Sequence, residues 1–308
     1  MTFYKDSKKF LIVRSLEFDI KPDRIVSGHA SVTFYVDKDS ITHPDINFSF
    51  DKKTRQMVLL RSEEGISKAP FQNSYHNVDM YFESLYWNID DPLIKMGALE
   101  GSSQRYAAFE SNTYFKKKRF DSMMGLSFSH PLSEIKEFIK STGREEFYAK
   151  DLAKFHNHSE EQWNTVLIDL NNKGFLIYDL NSHWVIVRPK LYYAIENNIG
   201  KRDYDVIQFS SEVEKGHNAQ LSLLNYDLLL KGITNFQLSD SQKVTITPRG
   251  GEVLLKKNRN FTFGGAFYSG EVYRLTALAQ THIEDAAMWA VIHSFPTRRS
   301  SDHRKSVV

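Results

Sequence analysis

The chain contains no cysteine among its 308 residues. This absence excludes disulfide bonds, a thiol nucleophile and any cysteine-ligated zinc site. The chain also lacks a run of 18 consecutive apolar residues, so we expect no transmembrane segment. Its opening residues, MTFYKDSKKF, do not have the charged, apolar and small-residue order of a signal peptide. What is present, 41% apolar and 13% aromatic residues, is enough to bury the cores of a folded protein.

The chain also has no excess of positive charge when residues 293–308 are left out of the count. Residues 293–302, HSFPTRRSSD, resemble the in-frame translation of a common short-read sequencing adapter, and we expect the natural chain to be lost at or before Ile292. Residues 293–308 hold four Lys and Arg against one Asp, so removing their net +3 turns the formal +2 of the chain into −1. The slightly basic balance is therefore not a nucleic-acid signature.

Strand patterns dominate both ends of the chain. In HASVTFYVD (29–37) apolar and polar residues alternate with a period of two, which places one face of a strand inward. Similar short patterns, separated by Gly, Pro, Asn and Asp turns, extend over residues 1–112 and again over 201–280. We predict antiparallel β-rich domains there, as a sandwich, a roll or a solenoid-like stack, and expect the C-terminal one to be incomplete. Residues 281–308 are expected to be an unreliable tail.

Helical patterns occupy residues 113–200, which makes α+β the predicted fold class. We expect Ser133 to cap a first helix that ends at Gly143, and Ser159 to cap a later helix that ends at Gly174. Four apolar residues of the later helix follow the spacing i, i+3, i+4 and i+7 and should be buried together against Leu152: Trp163, Val166, Leu167 and Leu170. FLIYDL and HWVIV then predict a hairpin.

Residues 133–196 resemble the winged helix-turn-helix family. The resemblance rests on a Leu-Ala pair at 152–153, a Leu-x-x-Lys-Gly exit from the second helix at 170–174, and the hairpin that follows. It implies a central winged-helix-like α/β domain, preceded by a helical linker, within residues 113–200. It is specific for shape, and shape alone does not establish DNA binding.

The outer face of the second helix has the wrong charge for reading DNA. With Trp163 at the centre of the buried face, 100° per residue puts four residues on the opposite side: Glu161, Thr165, Ile168 and Asn172. The helix carries acids and no Lys or Arg, whereas phosphate binding requires several cations. We interpret these four residues as a possible contact with protein or with the remainder of the parent chain, and expect no duplex DNA binding.

The strongest basic run outside the tail precedes this region. Lys116, Lys117, Lys118 and Arg119 are consecutive and are flanked by aromatic residues. Such a run is typical of a solvated helix face, with a phosphate or partner contact as the alternative.

Two β segments suggest a wider relationship. VSGHASVTFYVDKDSITHPDINFSFD (26–51) and KNRNFTFGGAFYSGEVY (257–273) resemble segments of very long, functionally unassigned bacterial envelope proteins. Their short paired strands are also similar to OstA-like lipopolysaccharide-transport β modules. The first resemblance implies that the parent protein is an envelope or surface scaffold.

No constellation of residues indicates a catalytic site, a metal or a cofactor. His156 and His158 could chelate a metal, but they have no third ligand at a recognisable spacing. Tyr81, Tyr86 and Trp87 could line a sugar platform, although core and sheet-surface packing is the more common use of such residues.

These observations favour a non-catalytic structural or protein-interaction part of a larger, envelope-associated β-rich protein. Two alternatives stay open. One is a DNA-binding winged-helix regulator with β-rich accessory domains, which would be cytoplasmic, and the other is a glycan-binding or glycan-acting β protein.

Overall fold

A computed structural model describes residues 1–5, 7–62, 64–99, 101–102, 105–123, 129–201, 207–239, 242–245, 251–257, 260–263, 266–269 and 274–277. The expected adapter-like segment, 293–302, and the rest of the tail 281–308 lie outside these described residues.

The first part of the chain forms eleven strands: β1 (Thr2–Lys5), β2 (Lys8–Arg14), β3 (Asp19–Ile20), β4 (Arg24–Val36), β5 (Asp39–Asp51), β6 (Gln56–Leu60), β7 (Phe71–Asn73), β8 (Val78–Tyr81), β9 (Ser84–Asn88), β10 (Leu93–Gly97) and β11 (Tyr106–Ser111). A short 3-10 helix, Gly65–Lys68, lies between β6 and β7. The helical region follows, with α1 (Lys117–Asp121), α2 (Pro131–Thr142), β12 (Glu146–Tyr148), α3 (Ala149–Phe155), α4 (Glu160–Asn172), β13 (Leu176–Asp179), β14 (Trp184–Val187) and α5 (Pro189–Asn198). The last strands are β15 (Gln208–Glu212), β16 (Ala219–Ser222), β17 (Leu228–Ser239), β18 (Gln242–Thr245), β19 (Gly251–Leu255), β20 (Asn260–Phe263), β21 (Ala266–Ser269) and β22 (Arg274–Ala277).

The fold is mostly β, with 44% strand and 23% helix, so the predicted α+β class is wrong. The strands before and after the helical region belong to one large antiparallel sheet. Among the described residues, the five α-helices all lie between β11 and β15. The prediction gave the helices too much weight because strands of three to five residues, such as β7 and β10, are too short to show a clear period of two.

The strands of the large sheet form a closed circuit. β5 pairs with β7 near its start and with β6 near its end, and β17 pairs with β16 near its start and with β15 further on. One row of strands, β6, β9, β10 and β16, joins β5 to β17. A second row, β7, β8, β11 and β15, joins the same two strands. Buried side chains from both rows form one continuous apolar core.

The alternation predicted for residues 29–37 is confirmed in β4. Val32, Phe34 and Val36 are buried in the core, whereas Thr33 is half-buried and Tyr35 is exposed. The two-residue turn to β5 begins at Asp37, whose φ of 57° is left-handed. Such a backbone matches the twist of the paired strands, which is why Asp and Asn are favoured in tight hairpin turns.

The helical region is an excursion from a hairpin of the large sheet. β11 and β15 are neighbouring antiparallel strands, and the Ser111 amide donates to the carbonyl of Ile207 (3.0 Å) where the chain leaves and re-enters the sheet. The domain limits predicted at residues 112 and 200 lie close to the two ends of this excursion. Because both ends meet at one point, the helical region can be inserted without interrupting the sheet.

The helices begin and end largely at the residues expected from the sequence. Ser159 caps α4 by accepting from the Gln162 amide (3.3 Å), while the Gln162 side chain accepts from the Ser159 amide (3.1 Å). Gly143 and Gly174 adopt left-handed φ values of 69° and 78° just after α2 and α4. The prediction that Ser133 caps the first helix is wrong. His130 holds that position because the following proline occupies the first helical position.

The helical region has its own apolar core and a small sheet. Strands β12, β14 and β13 pair in that order. The predicted buried face of α4 is confirmed, since its apolar residues are at most 9% exposed and share a core with Leu152: Trp163, Val166, Leu167 and Leu170.

Two buried histidines hydrogen-bond to segments far away along the chain. His43 on β5 donates from Nε2 to the Ala69 carbonyl (2.8 Å) and accepts at Nδ1 from the Asp45 amide (3.2 Å). His76 donates from Nε2 to the Tyr226 carbonyl (2.9 Å) and its Nδ1 lies 2.9 Å from the side-chain nitrogen of Asn73. Both rings therefore fit the neutral form, with the proton on Nε2. Burial lowers the pKa of His43 to about 3 and that of His76 to about 4.

We predict that Leu167→Ala lowers the free energy of unfolding by about 2–5 kcal/mol, because it leaves a cavity in the core of the helical region. Thr165→Ala is the matched control, since Thr165 is exposed on the same helix. Urea unfolding followed by the helical circular dichroism signal measures both. A loss below about 0.5 kcal/mol for Leu167→Ala would mean that α4 buries another face.

We also predict that the chain loses stability on acidification. Below the usual histidine pKa of about 6.5, the unfolded chain binds protons at residues 43 and 76 that the folded chain does not accept. The free energy of unfolding should then fall with decreasing pH by about 1.4 kcal/mol per pH unit for each of the two histidines, between about pH 6 and 4.5. Substituting His43→Asn or His76→Asn should each reduce this slope. Imidazole NMR signals from either residue that titrate near pH 6.5 in the folded protein would contradict the prediction.

Candidate functional site

The helical region contacts the large sheet through buried charges. Asp79 on β8 lies 2.5 Å from the Lys190 ammonium and 3.7 Å from the Arg188 guanidinium. Asp79 is 1% exposed at its side chain and Lys190 is 7% exposed. Arg188 also donates to the Gly174 carbonyl (2.8 Å), and burial lowers its pKa. A carboxylate from the sheet thus holds two cations from the end of the helical region.

The basic run takes part in the same contact. The Arg119 guanidinium pairs with Glu110 on β11 (3.0 Å), and Gln208 on β15 donates to the same carboxylate (2.7 Å). Burial alone would lower the pKa of Arg119, but the charge of Glu110 raises it. Burial, and then the Glu110 charge, raise the pKa of the nearby Tyr81 hydroxyl.

The three lysines of the run point to different surroundings. The Lys117 ammonium binds Asp121 (2.7 Å) and Asn198 (2.7 Å). The Lys116 ammonium lies 5.9 Å from the centre of the Tyr114 ring, and Lys118 is exposed. The run is therefore divided between an ion pair with the sheet, a contact with α5 and solvent, and its four cations do not converge on one anion-sized site.

The four residues predicted on the outer face of α4 lie in two settings. Glu161 and Thr165 are exposed, whereas Ile168 and Asn172 are half-buried near the end of the helix. Ile168 packs against the core of the helical region. The exposed, N-terminal half of this face thus carries the acid Glu161. The C-terminal half, with Ile168 and Asn172, contacts other parts of the same chain.

The 3-10 helix Gly65–Lys68 covers this second half. Asn172 donates from its side chain to the Gly65 carbonyl (2.9 Å), and Asn171 donates to the Ile66 carbonyl (3.3 Å). Ile66 is 5% exposed and belongs to the apolar core of the helical region. We refer to this arrangement as the α4 clamp. No local sequence pattern indicates this contact, because Ile66 and Asn171 are 105 residues apart along the chain.

The aromatic residues considered as a sugar platform do not form one surface. Trp87 is 2% exposed, packs against Phe10 and donates from its indole nitrogen to the Asp91 carbonyl (3.1 Å). Tyr81 faces the ionic contact described above. Tyr86 is the one that lies at the surface of an open cleft.

This cleft has a volume of about 610 Å³, which is within the range of small-molecule sites. Its floor is the outer face of β6, β9 and β10, and its walls are the segments that follow β10 and β15. It is lined by Gln56, Tyr86, Asn88, Asp91, Leu93, Lys95, Ala98, Leu99, Gly101, Ser102, Arg105, Val213, Glu214, Lys215, Gly216 and His217. These residues come from several separate segments, so no local motif could have revealed the cleft from the sequence.

The two histidines considered as metal ligands have other surroundings. A ring nitrogen of His156 lies 3.0 Å from the Glu134 carbonyl, and its ring contacts Trp163. Within the part of the chain that the structure describes, no group of three or more His, Asp or Glu side chains is placed to hold a metal ion. The described helices are also all too short or too polar to cross a membrane.

Comparisons of the chain with protein-family models, with curated proteins and with solved structures give no match.

We predict that Lys190→Ala lowers the free energy of unfolding by about 3–5 kcal/mol, because it leaves the Asp79 carboxylate buried without its nearest cation. Lys117→Ala is the control, since Lys117 pairs with Asp121 at the surface and should cost at most about 1 kcal/mol. The double variant Asp79→Asn/Lys190→Met should lose less free energy of unfolding than Lys190→Ala alone, since it leaves no buried carboxylate without its nearest cation. Chemical denaturation measures these free energies. Equal losses for Lys190→Ala and Lys117→Ala would show that the buried ion pair contributes no more to stability than the surface pair.

Proposed function

We propose that this chain is a non-catalytic, β-rich structural or protein-interaction protein. In this proposal the helical region is a winged-helix-like module that contacts protein and does not read DNA. The observation that carries the proposal is the α4 clamp, because it commits half of the outer face of α4 to the chain's own 3-10 helix.

A DNA-reading helix requires the opposite arrangement. Such a helix enters the major groove and presents side chains that hydrogen-bond to base edges. Here Asn172 donates to the Gly65 carbonyl, and the segment Gly65–Lys68 occupies the C-terminal half of the outer face of α4. A duplex lying along the whole of this face would therefore have to displace the 3-10 helix.

The exposed half of α4 adds an electrostatic argument. Glu160 and Glu161 form its first turn, and the Glu160 carboxylate binds His183 from the β13–β14 hairpin (2.9 Å). Phosphates would approach this acidic end of the helix, where repulsion is strongest at low salt. A winged-helix DNA reader uses the second helix and the hairpin. Here α4 and the β13–β14 hairpin are joined to each other through the Glu160 carboxylate.

The winged-helix part of the proposal rests on the order of elements in the helical region. Its elements follow the order helix, strand, helix, helix, hairpin, from α2 to β14, and the strand β12 pairs with β14.

An aromatic surface on the small sheet supports a protein contact. Tyr148 is 43% exposed, its ring meets Trp184 edge-on at 4.7 Å, and the Lys150 ammonium lies 5.1 Å from the same ring. Leu180, in the loop of the hairpin, is 39% exposed. Aromatic residues are enriched at protein interfaces, where they bury large areas at low entropic cost. The bacterial envelope as the setting rests on the sequence resemblance of residues 26–51 and 257–273.

We predict that the chain does not bind duplex DNA at micromolar affinity near physiological salt. Fluorescence anisotropy with labelled duplexes, repeated over a salt series, measures this. Glu161→Ala should leave binding undetectable, because removing one acid supplies no cation. Micromolar binding with a steep salt dependence would overturn the proposal in favour of a DNA-binding regulator.

Ile168→Lys tests the clamp in the same chain. It should speed amide hydrogen exchange at Ile66 and Ser67, because a charge beside the half-buried face loosens the contact with the 3-10 helix. It should not create DNA affinity. Thr165→Lys is the matched control, since it adds the same charge on the exposed half of the face. Unchanged exchange in Ile168→Lys would mean that Ile168 has no part in the clamp.

A further inference from the structure

The cleft on the large sheet has a floor in which one aromatic ring and one cation are paired. Tyr86 on β9 and Lys95 on β10 are directly opposite each other in the antiparallel register. Gln56 on β6 is opposite Asn88 on β9 in the same way. Since residues i and i+2 of a strand share a face, Tyr86 and Asn88 lie on the same outer face of the sheet. The floor therefore combines an aromatic face, two amides and an ammonium group.

The walls of the cleft are fixed to each other by a buried asparagine. Asn218 is 0% exposed, and its side-chain amide donates to the Arg105 carbonyl (3.0 Å) and to the Ser211 hydroxyl (2.8 Å). The Val213 amide also donates to the Arg105 carbonyl (3.4 Å). Arg105 on one wall is therefore held to the other wall by hydrogen bonds of the chain itself.

Three cations surround this cleft: Lys95, Arg105 and Lys215. In the described residues none of the three side chains forms an ion pair. Two carboxylates also line the cleft, but Asp91 accepts from the Leu93 amide (3.0 Å) in the turn between β9 and β10, and Glu214 is exposed at the rim. Among the described lining residues the three cations outnumber the two acids, so the cleft favours an anion.

The remaining lining groups indicate the body of the ligand. The rings of Tyr86 and His217 lie 5.8 Å apart at 47° and form a corner above the sheet. Leu93 and Leu99 add apolar surface, while Gln56 and Asn88 offer amide groups that can donate to and accept from hydroxyls. A sugar ring matches this combination when it also carries an anionic group, because its apolar C–H face packs on an aromatic ring and its hydroxyls bind amides.

We propose that the cleft binds an anionic saccharide. Its sugar ring lies against Tyr86, its hydroxyls bind Gln56 and Asn88, and its carboxylate or phosphate is held by Lys95, Arg105 and Lys215. This proposal concerns the β sheet and is independent of the role of the helical region, so it stands or falls separately from the proposed function.

Titration calorimetry of the whole chain with three probes tests the proposal. Trigalacturonic acid carries carboxylates, glucose 6-phosphate carries a phosphate, and maltotriose is neutral. We expect saturable binding of at least one charged probe, at least about tenfold tighter than that of maltotriose and weakened by salt. The charged probe that binds more tightly identifies the anionic group. Binding of neither charged probe at millimolar concentration, or equal binding of maltotriose, overturns the proposal.

Two variants and two controls locate the binding. Tyr86→Ala and Lys95→Gln should each weaken binding of the preferred charged probe by about tenfold, and Lys95→Gln should also reduce its salt dependence. The controls are Tyr35→Ala and Lys53→Gln, which change an exposed tyrosine and an exposed lysine elsewhere on the β structure. Thermal unfolding of each variant shows that it is folded. The proposal is also overturned if Tyr86→Ala and Lys95→Gln both leave the binding of the charged probe unchanged.

Discussion

The pairing of β11 with β15 is the constraint on which the rest of the structure depends. These neighbouring strands close the second row of the sheet, and the helical region leaves and re-enters at their shared end, where Ser111 bonds to Ile207. Because the connection between them is long, no tight turn sets their register. Backbone pairing sets it over five residue pairs, and the ion pair of Glu110 with Arg119, together with Gln208, adds side-chain contacts at the same end.

The helical region is held at two further places, and together these fix its orientation. The buried pair of Asp79 and Lys190 ties α5 to β8, and the α4 clamp ties the other side of the region to the 3-10 helix. That 3-10 helix is itself held by β5, because Ser67 donates to Asp45 (2.5 Å) and the Ala69 carbonyl just after it accepts from His43. The helical region is thus attached to the sheet through buried charge on one side and through the 3-10 helix on the other.

The sequence predicted what depends on neighbours along the chain. The period of two in β4, the N-cap at Ser159 and the buried face around Leu167 need only local rules, and all three are present. The mostly-β class was missed because many strands are only three to five residues long and gain their stability from partners far along the chain. The cleft was missed for the same reason: Tyr86 was noted for its ring, but Lys95 and His217 join it only through strand pairing and a wall segment.

A single glycine shows how the closed circuit and the cleft are linked. At Gly232, β17 passes from pairing with β16 to pairing with β15; the residue has a left-handed φ of 61°, and a Cβ there would lie 2.3 Å from the Glu212 carbonyl. The preceding residue, Lys231, donates from its amide to the Asn218 carbonyl (2.7 Å) and accepts from Ser211 (2.5 Å). Asn218 in turn holds the Arg105 wall. The bulge that lets one strand serve both rows of the sheet therefore also fixes the cleft walls, so the binding site is a consequence of how the circuit closes.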